Sequence, residues 1–297
     1  MKTDGNSYGT LTRLKTMLGI TGTGNDTELL QSLEMASRSI DAYCRRKFYV
    51  TSETTQYRGE GNRLMLYDDL LSITTFTTLK DDRSTEKTWA STDYELFPLG
   101  DTRFPKEYIE LADNTTAGSF ANNRRRGVQI VGLFGYGTGS SATPYESATT
   151  TNDGSFDSSE TTFTATAGAN LNVGDFNATE TTFTATAGTT LNIGETILID
   201  SEQMYITGIS THLITVKRAM NGTTGASHST GATVYVYKYP QPIIQSCYLQ
   251  AGRISKRWQT AYATTIGAVE MSPYDVTIGL DADVKRLLNQ FVVMRVG

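Results

Sequence analysis

The nonapeptide Glu-Thr-Thr-Phe-Thr-Ala-Thr-Ala-Gly occurs twice, from Glu160 to Gly168 and from Glu180 to Gly188. The likeness continues into Leu171-Asn172-Val173-Gly174 and Leu191-Asn192-Ile193-Gly194. A fixed period in a Thr-rich, charge-poor stretch constrains the chain to a duplicated β-unit. Two copies are too few to stack into a solenoid. The repeats therefore mark a local module, and the question becomes what surrounds it.

The module has visible borders. Residues 138–160 are mostly Ser, Thr, Gly, Asn and Asp, which is linker composition. After the repeats come four short apolar runs, 195–200, 204–209, 213–217 and 233–237, with turn signals between them. A long loop, Asn221 to Gly231, separates the last two. Charge divides at the same borders. Within 138–238 nine acids face three bases, whereas the rest of the chain has 22 acids and 23 bases. The net charge of -5 thus belongs to the insert. Neither part has the basic excess of a general nucleic-acid binder.

Outside 138–238 the periodicity is different. Leu11, Leu14 and Leu18 predict a short helix over 10–18, with Gly19 as its stop. Asp26 or Thr27 then caps a longer helix running to about Arg46, with Leu29, Leu30, Leu33, Ala36, Ile40, Tyr43 and Cys44 on one face. Residues 51–137 predict strands at 53–58, 63–67, 71–80, 86–90, 93–97, 107–111 and 127–134. Pro240 opens another helix over 242–262, whose apolar face holds Ile243, Ile244, Cys247, Tyr248, Ala251, Ile254 and Trp258. A polar, mobile stretch follows. A last helical turn or two runs from Asp281 through Val284, Leu287, Leu288 and Phe291. The tail 292–297 is apolar and is expected to be exposed in an isolated monomer, as surfaces that meet a partner often are. The expected fold class is α+β: a core of helices and an antiparallel β-region, 1–137 plus 239–297, interrupted by an all-β insert over 138–238.

Convergent chemistry is scarce. His212 and His228 both lie in the insert, and neither has a companion at metal-ligand spacing. Both read as turn residues. Cys44 and Cys247 sit on apolar helix faces and read as small core residues that meet if the helices pair. The Gly22-Thr-Gly24 and Gly132-Leu-Phe-Gly135-Tyr-Gly137 strings lack the pattern of a phosphate loop. Asp68-Asp69 and Asp81-Asp82 read as solvated turns. No catalytic, metal-binding or cofactor-binding residue is expected. Arg124-Arg125-Arg126 and Arg45-Arg46-Lys47 are the densest basic runs, suited to phosphate or to solvent. No apolar run approaches the roughly 18 residues of a membrane span. Met1 to Gly5 lead into no apolar stretch, so neither membrane nor secretion is expected.

Three pieces, in order, resemble the head-to-tail connector, or adaptor, proteins of tailed bacteriophages. The first is Leu11 to Ile20, a polar turn with Asp26, Leu29-Leu30, Ala36 to Asp41, and Tyr43 to Tyr49. The second is the strand ending Gly135-Tyr136, joined in the family to a Pro-rich helix start like Tyr239-Pro-Gln-Pro-Ile-Ile244. The third is Asp283 to Phe291. The insert departs from this pattern, but its second half resembles a small β-module of phage virion proteins. The residues are Gly194 to Asp200, Glu202 to Thr207, Leu213 to Arg218, Asn221-Gly-Thr223, Ala226, His228 and Gly231 to Val234.

The resemblance implies a structural, non-enzymatic ring of twelve copies at the head-tail junction, assembled in the host cytoplasm. Its partners would be the portal protein and a tail, nozzle or stopper protein, with packaged DNA in the lumen read without sequence specificity. The insert would reach tail fibres or capsid, and removing 140–237 is expected to leave ring assembly intact. Leu287, Leu288, Phe291, Val292, Val293 and Met294 form the expected portal-docking set. Arg124, Arg125 and Arg126 are the expected DNA or partner contact. The alternative is an attachment or carbohydrate-binding protein whose working part is the insert.

Overall fold

A computed structural model describes residues 5–100, 105–113, 118–120, 124–137, 145–152, 162–166, 191–210, 213–228, 232–259, 265–266, 274–275 and 279–293. In chain order, helices α1 (Leu11–Leu18) and α2 (Asp26–Cys44) lead into strands β1 (Thr51–Tyr57), β2 (Arg63–Leu79), β3 (Thr85–Thr88), β4 (Tyr94–Phe97), β5 (Lys106–Leu111) and β6 (Val128–Phe134). Strands β7 (Tyr145–Asn152), β8 (Thr162–Thr166), β9 (Thr196–Ile199), β10 (Glu202–Ser210), β11 (Leu213–Lys217) and β12 (Thr233–Tyr237) follow. Helix α3 (Gln241–Gln259), a hairpin of β13 (Thr265–Ile266) and β14 (Tyr274–Asp275), and α4 (Ala282–Leu288) complete the series. The fold is α+β, as expected. It divides into two compact units, one of residues 1–45, 145–220 and 224–293, the other of 46–144, 221–223 and 294–297.

The first unit combines helices with a barrel. Gly19 ends α1 in the left-handed region at φ 69°, and the N–H of Ile20 returns to the Lys15 carbonyl at 3.0 Å. That closes orphan carbonyls of the last turn. Helices α2 and α3 bury the faces that their periodicity marks, with Leu33, Ala36, Ile40 and Cys44 against the side that carries Ile243, Cys247 and Ala251. Helix α2 stops at Cys44, short of Arg46, because Arg45 turns left-handed at φ 55°.

Strands β7 to β12 close into an antiparallel barrel in the order β10-β11-β8-β7-β12-β9. Its core is aliphatic, built on Ile197, Ile199, Met204, Ile206, Ile214, Val216 and Val234. Two sequence expectations change here. The stretch read as linker contains β7, which pairs with β12 in the register Tyr145↔Tyr237. Part of the polar stretch after α3 forms the β13–β14 hairpin. Of the twin repeats, the first supplies β8, and the second lies outside the described residues.

An N-terminal arm, residues 5–10, runs through this unit. Ser7 Oγ and Tyr205 Oη share a hydrogen bond of 2.8 Å, and Thr196 Oγ1 lies 3.2 Å from Asn6 Oδ1. The Leu11 N–H donates to the Ile193 carbonyl at 2.9 Å. All four of Asn6, Ser7, Thr196 and Tyr205 are buried. Tyr239 packs on Tyr8 and on Tyr237, each at a centroid distance of 4.6 Å. The barrel thus shares polar and aromatic contacts with the arm and with the entry to α3.

The second unit is a sheet in the order β1-β6-β2-β5-β4, with β3 also on β2. Strand β6 alternates buried and half-buried positions along its whole length, as period-two geometry requires. Its buried face meets Tyr57, Leu70, Phe76, Trp89, Ile109 and Phe120. The glycine string in β6 serves close packing. A Cβ on Gly132 would stand 2.1 Å from the Ser72 carbonyl oxygen, and one on Gly135, at φ 145°, 2.3 Å from that of Tyr49. The expected turn at Asp68-Asp69 is absent: β2 runs straight through as one strand of 17 residues with a register shift between Met65 and Leu70. Asp69 is held there by an ion pair with Arg46 at 3.2 Å, while its carbonyl accepts the Gly135 N–H at 2.7 Å.

Candidate interaction surfaces

The C-terminal segment is clipped to its own unit. Asp281 caps α4 by accepting the Ala282 N–H at 2.7 Å and pairs with Arg253 at 2.6 Å. Val284 and Leu288 are fully buried, and Phe291 is 9% exposed. Tyr43 donates to Asn289 Oδ1 at 2.7 Å, and the Val293 N–H reaches the Cys44 carbonyl at 3.1 Å. That carbonyl belongs to the last turn of α2, where carbonyls lack helical partners. The expected docking set therefore splits. Leu288 and Phe291 face inward, Leu287, Val292 and Val293 are half-buried, and Met294 lies outside the described residues. The near part of the tail is more covered than its composition implied.

The arginine run is a turn before β6, where the Gly127 N–H returns to the Arg124 carbonyl at 3.2 Å. Arg124 is structural. Its guanidinium reaches Glu86 at 2.7 Å, Asp81 at 3.3 Å and the Leu79 carbonyl at 3.1 Å. Arg83 donates to the carbonyls of both Arg125 and Arg126 at 3.2 Å. The side chains of Arg125 and Arg126 are exposed and form no ion pair among the described residues. In the second basic run, Arg46 pairs with Asp69 and lies over the Tyr136 ring at 5.0 Å, Lys47 pairs with Glu53 at 3.8 Å, and the side chains of Arg45 and Lys47 are exposed.

Sequence reasoning missed the densest polar network. Glu202, fully buried at the start of β10, receives Arg218 at 2.9 and 2.5 Å, His228 Nε2 at 3.0 Å, and the N–H groups of Ala219 at 3.0 Å and Ala226 at 2.9 Å. His228 Nδ1 lies 2.6 Å from Asp200. Burial alone would raise the Glu202 carboxyl. The hydrogen bonds from His228, Arg218 and the two amides outweigh it and hold the group at about 2. With every lone pair engaged, this is a clasp that ties Arg218, Ala219, Ala226 and His228 to the start of β10 rather than a reactive centre. His228 is thus a structural turn residue, as read from sequence, while His212 lies outside the described residues.

The cysteines are equally occupied. Cys247 Sγ lies 3.5 Å from Ser37 Oγ and 3.7 Å from the Leu33 carbonyl, and burial pushes its thiol up to about 11. Both cysteines are free and buried. Ser37 and Cys44 are about two helical turns apart, so Cys247 meets Ser37 rather than Cys44. Among the described residues no cluster of three or more His, Cys, Asp or Glu could hold a metal ion.

Known proteins bear on the first piece of the chain. Residues 8–78 match the family model of phage gp6-like head-tail connector proteins. The matched stretch contains α1, α2, β1 and nearly all of β2, and includes the N-terminal residues whose resemblance was read from sequence. No curated protein matches the chain. One similar solved structure is described as the neck of an empty GTA particle computed with C6 symmetry. It is 10% identical, with a TM-score of 0.38, over 96% of this chain and 90% of that one.

Proposed function

We propose that this chain is a structural protein of a phage neck, a connector subunit that joins the portal to the tail. The observation that carries the reading is the connector-family match over residues 8–78. In this reading the chain forms a closed ring of about twelve copies, a form in which the same two surfaces meet around the circle. DNA passes through the lumen, and the chain carries out no reaction. The ring assembles in the host cytoplasm and resides at the head-tail junction.

The geometry suits particular residues to particular contacts. Leu287, Val292 and Val293 are the members of the C-terminal set with surface left to offer a portal, and Met294 continues the same run. Leu288 and Phe291 support that segment from inside. Arg125 and Arg126 are suited to passing phosphates, which need charge but no base readout. Arg124 holds their turn in place. Residues 138–238 are proposed as an insert in a connector core of 1–137 plus 239–297, facing tail fibres or capsid.

Electron microscopy of particle necks tests the reading directly. Density for this chain as a ring between portal and tail is the expected result. Normal DNA-filled, tailed particles from a deletion mutant would overturn it. So would a glycan-array signal from the purified chain combined with no affinity for portal, which would favour the attachment alternative.

A further inference from the structure

A cavity of about 90 Å³ lies within the first unit where the arm, the barrel and α3 meet. Its walls include Tyr8, Tyr237, Tyr239 and Tyr248, with Ile244 and the carboxylate-bearing Glu195. We propose that this cavity binds the head of an organic monocation, an alkylammonium or guanidinium group. The inference is independent of the neck reading.

Aromatic faces attract cations through the ring quadrupole, and several rings around one space strengthen the effect. One Tyr8 face is already taken by the Arg38 guanidinium, 5.5 Å from the ring centroid, which leaves Tyr237, Tyr239 and Tyr248 for a ligand. Glu195 supplies the counter-charge. Its carboxylate accepts the Asn192 N–H at 2.8 Å and the Asn192 amide at 3.1 Å, both neutral donors. It forms no ion pair among the described residues. Burial, opposed only by those two bonds, pushes the carboxyl up to about 7. A bound cation would supply the opposite charge that the ionised form lacks.

Size and ligand chemistry narrow the class. The space is large enough for several water-sized groups. That admits a guanidinium, or an ammonium with its adjoining methylenes. A divalent metal would need several oxygen ligands in place of one carboxylate among tyrosines. The cation is either a free amine or the end of a Lys or Arg side chain from a second copy of this chain.

The test titrates the purified full chain with n-butylammonium chloride and follows tyrosine NMR shifts. Saturable shifts at Tyr237, Tyr239 and Tyr248 are expected, weakened about tenfold by Glu195→Gln through loss of the charge-assisted contact. A melting temperature taken on E195Q confirms that it is folded. An equal response to 1-butanol, no saturation, or unchanged affinity in E195Q would each overturn the proposal. Sedimentation with saturating n-butylammonium then separates the sources. Dissociation of self-assembled chains identifies a neighbouring side chain as the occupant, and unchanged assembly identifies a free amine.

Discussion

The Val293 N–H donates to the Cys44 carbonyl, so the end of the described chain caps the last turn of α2. On the proposed docking role, stability and partner binding are separable along the C-terminal segment. Leu288→Ala empties a fully buried site and should cost about 2–4 kcal/mol. Leu287→Ala and Val292→Ala should each cost under about 1 kcal/mol but weaken capture by portal. Urea melts beside portal pull-downs check this. Equal loss of binding with equal loss of stability in all three would end the docking assignment.

Arg218→Met leaves Glu202 charged and buried without its bidentate partner. The expected loss is about 3–5 kcal/mol. Replacing Glu202 and Arg218 together with apolar residues should recover part of it, since no lone charge then remains. Thermal denaturation of the single and double variants decides the matter.

Glu202 also sets an acid limit. Its folded pKa of about 2 lies below the ordinary 4.5. The unfolded chain therefore binds more protons between those values, and the stabilisation present above pH 4.5 is lost as pH falls toward 2. Glu202→Gln should flatten that part of a melting-temperature profile measured from pH 2 to 6.

Glu195 acts with the opposite sign. Its folded value of about 7 lies above 4.5. Its contribution is complete below pH 4.5 and is lost as pH rises through 7. In amine-free buffer, Glu195→Gln should be more stable than the parent at pH 8, by on the order of 3 kcal/mol, and nearly equal at about pH 4. A fixed difference across the range would contradict this.

Arg124 and its neighbours should part company. Arg124→Ala removes two partly exposed pairs and a carbonyl contact, costing about 1 kcal/mol. Arg125→Ala with Arg126→Ala should leave stability unchanged and flatten the salt dependence of DNA retention. Urea melts read the first effect, and elution of each variant from a DNA column over a salt gradient reads the second.

Legibility followed the range of the interactions. Strand β6 and the faces of α2 and α3 were readable because their apolar residues keep one period. Asp68-Asp69 misled because adjacent acids resemble a turn, whereas Arg46 and the Gly135 N–H, both distant in sequence, hold Asp69 inside β2. Strand β7 has polar composition and takes its form from pairing with β12. Glu202, Arg218 and His228 are 16 and 26 residues from meeting in sequence, and only the barrel register joins them. Grouping them in the β-module resemblance was the available signal, and that resemblance also spans Glu195 without singling it out.

The barrel closes on itself, whereas the sheet of the second unit ends in β1 on one side and β4 on the other. A closed barrel has no row of open amides and carbonyls to lend, and an edge strand does. Among the described strands, a copy-to-copy joint made by backbone pairing would use the edges of this sheet or of the β13–β14 hairpin, not the barrel. The barrel can take part in contacts between copies only through its side chains and loops, so any contact it makes is written in its surface sequence rather than in its backbone.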